Sequence, residues 1–185
     1  MARCVALFRG INVGRAKRIA MADLRGVLES LGYSNVRTLL NSGNAVFDVA
    51  NAASGAPASA LLRHAQAIRS AVLAALKVDA HVVVKSAKDI AAIVAGNSFA
   101  ASDPSRLLVA MTQDAKTLDA LRERADAKWS ADEAIVGPHA AYVWCPDGVL
   151  ESKAAKALLA GLAETGTARN WATMLKIHEM LQAPA

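Results

Sequence analysis

The sequence predicts an α+β protein made of two α/β plaits, the second incomplete, followed by a C-terminal helix. Three observations carry this. Short runs alternate apolar and polar residues, as half-buried strands do, and longer runs repeat apolar residues at helical spacing. In residues 1–85 these runs follow the order βαββαβ, the split-βαβ or ferredoxin-like unit. Residues 86–185 repeat that order in part, so the expected domains are 1–85 and 86–185, with one continuous mixed sheet as the alternative.

Each element has its own signal. Cys4–Arg9 reads as a strand, followed by a Gly/Asn/Arg-rich loop to about Arg18. Met21, Leu24, Leu28 and Leu31 recur at helical spacing and Gly32 ends the helix. Val36–Leu40 and Ala45–Val49 alternate around the turn Asn41-Ser42-Gly43-Asn44, which makes a hairpin. Asn51–Ser59 is a small, polar loop. Leu61, Leu62, Ala65, Ile68, Val72, Ala75 and Leu76 stripe a long helix, and the β-branched run Ala80–Lys85 is a fourth strand. In the second half, a connector helix near Ala87–Ala95 precedes a strand at Arg106–Thr112 and a helix marked by Leu118, Leu121, Ala125 and Trp129. Short strands at Ala134–Val136 and Ala141–Cys145, a Pro-Asp-Gly turn and a helix at Ala154–Leu162 follow. No strand pattern is visible after that, and the chain ends in a helix over about Trp171–Leu181.

Composition bounds the function. At this length roughly 70% of the unfolded surface is buried on folding, so a core forms without staples. No apolar run reaches the ~20 residues that span a bilayer, and the N-terminus shows no signal peptide, so a cytoplasmic location without membrane partners is expected. Cys4 and Cys145 sit in apolar, strand-like runs and read as buried, unpaired thiols. The histidines at 64, 81, 139 and 178 fall at no zinc spacing; no metal and no cofactor are expected.

Charge is uneven. Residues 1–85 carry 11 Lys/Arg and 4 Asp/Glu, whereas 86–185 carry 10 and 12. No acid precedes Asp23, while Arg3, Arg9, Arg15, Lys17 and Arg18 do. The first half thus suits an anionic partner, although a merely solvated basic face fits the same counts. Topology sharpens this. In a βαββαβ plait the ends of strands one and two and the start of strand three share one edge of the sheet. The Arg9–Arg18 loop and the Asn41–Asn44 turn are therefore expected to be neighbours, with the Lys77–Asp79 turn opening onto the same edge. The loop has two glycines and joins a strand to a helix, a junction able to aim N–H groups at an anion. It matches neither phosphate-binding glycine motif, G-x-x-x-x-G-K-[ST] or G-x-G-x-x-G. The candidate ligand-binding residues are Arg9, Asn12, Lys17, Asn41, Ser42 and Asn44, with Arg169 from the tail segment Thr167-Ala168-Arg169-Asn170-Trp171. Plainer roles compete at each. Asn, Ser and Gly form turns, Thr167 or Asn170 can cap the last helix, and Ser152 reads better as an N-cap than as half of a Ser152-Lys153 catalytic dyad.

These residues together resemble a known family. Arg9-Gly10-Ile11-Asn12-Val13-Gly14, Met21, Leu24, Val36-Arg37-Thr38, Ser42-Gly43-Asn44 and Phe47, with Ser152-Lys153, Thr167–Trp171, Thr173 and Lys176 in the tail, resemble domain of unknown function 1697 (DUF1697). The resemblance implies two ferredoxin-like halves and no activity. Arg15 stands where that family usually has glycine, Leu39-Leu40 where it has an aromatic-aliphatic pair, Ser98 where it has proline and Ala172 where it has asparagine. Arg15 adds charge to the loop; Ala172 removes a polar group from the tail.

Three functions compete. The first is binding of a phosphate-bearing ligand, nucleotide or nucleic acid, at the basic edge. Only 8 aromatic residues are present and the Phe47 strand lacks the aromatic-rich RNA-binding pattern, which argues against recognition on the sheet face. The second is a small enzyme acting on an anionic metabolite with Arg9, Lys17 or Arg169 as electrostatic stabilisers, for which no nucleophile–base pair is visible. The third is a structural role in which sheet edges pair a homodimer.

Overall fold

The computed structural model describes residues 2–13, 17–50, 57–100, 102–126, 129–130, 133–162 and 165–184. Gly14, Arg15 and Ala16 of the basic loop, and positions 51–56 of the polar loop, lie outside the described residues. Two compact units emerge: Met1–Asp89 with Ile177–Ala185, and Ile90–Lys176.

In the first unit β1 (Ala2–Phe8), α1 (Met21–Ser30), β2 (Ser34–Leu39), β3 (Asn44–Val49), α2 (Ala58–Leu76) and β4 (Val82–Ser86) appear in the expected order. They form a four-stranded sheet, β2-β3-β1-β4, antiparallel throughout. The strands holding Phe8 and Phe47 are direct neighbours, with Cys4 opposite Phe47. One sheet face, with Cys4, Ala6, Phe8, Ala45, Phe47, Val82 and Val84, packs under the apolar stripes of the two helices. Leu24, Val27 and Leu28 come from α1, and Leu61, Ala65, Ile68 and Val72 from α2. These are the i, i+3, i+4 positions of each pattern, and full burial of a large apolar side chain contributes about 1.5–3 kcal/mol. Tyr33 closes this core, tilted against Phe47 with ring centroids 4.4 Å apart. Its hydroxyl meets His64 Nδ1 at 2.8 Å.

Arg3 and Asp48 oppose one another on β1 and β3. Arg3 Nε donates to Asp48 Oδ1 at 2.9 Å, and Asn35 Nδ2 donates to Asp48 Oδ2 at 2.8 Å. The other arm of Arg3 donates to the carbonyls of Leu181 and Ala183, and Arg37 Nη2 donates to the Met180 carbonyl at 2.9 Å. The final residues of the chain thus complete the first unit, and the two cations meet carbonyls that a helix C-terminus leaves unsatisfied.

The second unit begins within α3 (Ala87–Ala95) and continues through β5 (Leu107–Thr112), α4 (Ala115–Asp126), β6 (Ala134–Val136), β7 (Ala141–Trp144), α5 (Lys153–Gly161) and β8 (Gly166–Asn170). The helix α6 (Trp171–Gln182) ends the fold. Its sheet, β6-β7-β5-β8, has the same order as the first and is separate from it, so the single continuous sheet is excluded. The expected missing strand is the correction here. β8 is present and the second plait is complete. Gly166-Thr167-Ala168-Arg169-Asn170 lacks apolar alternation because the positions it buries, Gly166 and Thr167, are a glycine and a polar residue. It pairs antiparallel with β5, Met111 facing Thr167 and Ala110 facing Ala168. Asn170 has the capping role read from sequence, its Oδ1 accepting from Thr173 N at 2.9 Å. Ser152 caps α5, its Oγ accepting from Ala155 N at 3.1 Å. Both cysteines are buried free thiols, and burial pushes Cys4 up to about 12.

Candidate functional site

The end of β1, the end of β2 and the starts of β3 and β4 meet at one edge of the first sheet. Phe8 N donates to Gly43 O and Arg9 N to His81 O, each at 2.9 Å. The basic loop and the Asn-Ser-Gly-Asn turn are therefore neighbours, as topology requires.

Asn12 is the joint between them. Its backbone lies at φ 56°, a left-handed position that Asn tolerates. Its side-chain Nδ2 donates to Ile19 O at 2.9 Å and to Asn41 O at 2.8 Å, and its Oδ1 accepts from Ile19 N at 2.8 Å. Asn12 N also donates to Lys17 O at 3.0 Å. One side chain thus closes the loop on itself and fastens it to the turn. We expect Asn12→Ala to lose about 2–4 kcal/mol in chemical denaturation, since three bonds of roughly 0.5–1.5 kcal/mol each disappear. A loss within 0.5 kcal/mol, the usual range for surface changes, would show that the loop closes without it.

The remaining candidates divide. Asn44 is fully buried and donates to Leu39 O and Ser42 Oγ, both at 3.0 Å, so Asn44 and Ser42 shape the turn. Asn41 and Lys17 are exposed and Arg9 is half-buried. Lys17 lies within electrostatic reach of Asp79, from the Lys77–Asp79 turn that topology assigned to this edge. Asp79 lies in the connection between α2 and β4, and its carboxyl is held below its ordinary range first by the paired Arg69, then more weakly by His81 and Lys17. Arg69 grips that carboxylate with both arms, at 2.6 and 2.9 Å. Arg169 belongs to the second unit, on β8 opposite Val109. Its Nη1 donates to Thr167 Oγ1 at 3.0 Å and Ala168 O at 2.8 Å, and burial pulls it down to about 10, still protonated at neutral pH.

Between loop, turn and helix opens a cleft of about 440 Å³, lined by Asn12, Arg18, Ile19, Ala20, Met21 and Asn41. Arg18 and the start of α1 were not among the expected site residues. The signal was available, since Arg18 ends the basic loop shortly before the first helical stripe opens at Met21. Ala20, the N-cap of α1, offers no side-chain bond to the first turn. Arg18, Asn41 and the start of α1 therefore border one cavity, where the cation and the helix N-terminus suit negative charge and Asp23 in the first turn of α1 opposes it. The second unit has a cleft of about 410 Å³ of opposite character, with Glu133, Asp147 and Glu151 against Lys153. Among the described residues no cluster of His, Cys, Asp and Glu is arranged to hold a metal, and no helix is long and apolar enough to cross a membrane.

The family model described as "Protein of unknown function (DUF1697)" matches residues 1–142. The chain belongs to that family. The match spans the whole first plait, the cleft included, and runs into β7. A solved structure titled "The structure of conserved bacterial protein SP0830 from Streptococcus pneumoniae" is similar to the DUF1697 chain over 99% of both chains. It is 23% identical with a TM-score of 0.76, a likeness of fold. No curated protein matches the chain.

Proposed function

We propose that this protein binds a phosphate-bearing molecule at the edge of its first sheet. The cleft bordered by Arg18, Asn41 and the uncapped start of α1 carries the reading. It brings together an arginine, asparagines and a helix N-terminus, the kinds of group that hold anions without a dedicated glycine motif. The surrounding charge points the same way, with Arg9 and Lys17 on the same edge, although Asp79 offsets part of the Lys17 charge.

A small molecule is favoured over a nucleic acid strand. Single-strand recognition on a sheet needs exposed aromatic platforms, and Phe8 and Phe47 are fully buried beneath the helices.

The test is thermal unfolding in the presence of sugar phosphates and nucleoside monophosphates, since a ligand at 100 times its Kd adds about 2.7 kcal/mol of stability. Arg18→Ala is expected to weaken binding by about tenfold or more, and the Arg9→Ala/Lys17→Ala pair by less. Affinity should fall as salt rises. Absence of stabilisation by every phosphate ester, or binding indifferent to Arg18→Ala, would sink the reading.

A further inference from the structure

We infer that the second unit carries its own small-molecule site, the cleft between the end of β7 and the start of α5, and that its ligand is a free amino acid with a guanidinium side chain. The site is separate from the anion-binding edge, because every residue that lines it belongs to Ile90–Lys176.

Opposite charges share this cleft without neutralising one another. Asp147, Glu151 and Lys153 line one cavity of about 410 Å³. Among the described residues their side chains make no hydrogen bond and no ion pair. Charges of both signs that the fold holds apart in one small cavity are bridged by a molecule that carries both signs. Glu133, another acid of the lining, is partly used, since its Oε2 accepts from Ser130 Oγ at 3.2 Å and from Ser130 N at 3.3 Å. Among the described residues no three His, Cys, Asp or Glu side chains are grouped to hold a metal ion. The negative charge is therefore spread along the lining, which suits an extended organic cation better than a compact ion.

Trp144 supplies a further kind of surface. Its half-buried side chain lines the same cleft, and an indole is the best aromatic partner for a cation, guanidinium more often than ammonium. Two free acids, one free base and an indole complement two cations and one carboxylate. Lys153 takes the carboxylate, while Asp147 and Glu151 take the guanidinium and the α-ammonium. The volume lies within the roughly 300–1,000 Å³ of small-molecule sites. The frame is fixed before any ligand arrives. Trp144 N donates to Glu133 O, Cys145 N to Arg106 O and Gly148 N to Cys145 O, each at 2.9 Å, and Ser152 N donates to Gly148 O at 3.2 Å. Such preorganisation lowers the ordering cost of binding.

Calorimetric titration of the whole chain with L-arginine, L-citrulline and agmatine separates these contacts. Citrulline keeps the shape of arginine but has a neutral urea in place of the guanidinium, and agmatine keeps the guanidinium but lacks the carboxylate. The wild type is expected to bind arginine at least about tenfold more tightly than either. Asp147→Asn with Glu151→Gln is expected to bring arginine down to the level of citrulline, and Lys153→Met to bring it down to the level of agmatine. Both variants should keep the wild-type Tm, because these side chains hold nothing else. Trp144→Phe, which leaves a weaker aromatic face, should weaken arginine more than citrulline. Failure of arginine to bind, or equal binding of citrulline, overturns the assignment. Agmatine binding as tightly as arginine overturns the role of Lys153 and with it the amino-acid ligand. Charge variants that melt markedly lower show that these groups serve the fold, which overturns the site as well. The anion-binding reading stands or falls apart from all of these outcomes, since none of the three probes carries phosphate.

Discussion

The Asp48→Asn variant is expected to lose about 3–5 kcal/mol of unfolding free energy, the usual cost of stripping one partner from a buried ion pair. Asp48 is almost fully buried, and its side chain accepts from both Arg3 and Asn35. The amide keeps the shape but leaves the Arg3 guanidinium, only 17% exposed, without its counter-charge. A paired apolar replacement, Arg3→Met with Asp48→Leu, should recover part of the loss, because the expense lies in the orphaned charge rather than in the missing attraction. The same pair sets an acid limit. The Arg3 hydrogen bond is the largest cause holding the Asp48 carboxyl below its ordinary 3.8. A depressed folded value means that the stabilisation is fully present above the unfolded pKa, near 4, and disappears as pH falls through the lower folded one. Denaturant titrations between pH 5 and pH 2 should therefore show a decline that Asp48→Asn flattens. An Asp48→Asn protein as stable as the wild type at pH 7 would remove the pair from any account of this fold.

Gly43→Ala is expected to cost about 2–5 kcal/mol. Gly43 sits at φ 78°, where an L side chain is strained, and its carbonyl accepts from Phe8 N. A Cβ there would meet Ile11 Cδ1 at 2.6 Å and Phe8 Cβ at 2.8 Å, inside any tolerable contact. Both neighbours are core residues at 2% and 0% exposure, so neither side chain can swing away into solvent. Gly10→Ala is the control. Gly10 has a comparable φ of 67°, yet an added Cβ would find nothing within 4 Å. The two variants share the backbone penalty, and the excess at position 43 measures the packing. Equal losses in denaturant titration would mean that the turn and the loop are not pressed together at this point.

How much of this was legible in sequence depended on whether an element carries its own apolar pattern. β1 through β4 did: Val36–Leu40 and Ala45–Val49 alternate around Asn-Ser-Gly-Asn, and α1 and α2 stripe cleanly. β8 did not, because a five-residue strand with Gly at one end and Arg-Asn at the other reads as a loop until β5 is laid beside it. At the candidate edge, the meeting of loop and turn followed from strand order alone. The details did not follow. That the Asn12 side chain is spent on Ile19 and Asn41, and that Arg69 takes the Asp79 carboxylate, are consequences of residues brought together across the fold, where sequence spacing says nothing. The fold class was thus open to inspection, whereas the division of labour among neighbouring polar residues was not.

The carbonyls that receive Arg3 and Arg37 lie at the far end of the chain, with separations of 178, 180 and 143 residues. That distance is also a delay. A ribosome adds about 5–20 residues per second, so on the order of ten seconds pass between the emergence of β2 and that of Met180. Once β4 has emerged the first sheet is fully synthesised, yet its two arginines still face a partner that does not exist. The N-terminal half, although it has its own strands, helices and core, is therefore among the last parts of the molecule to be finished.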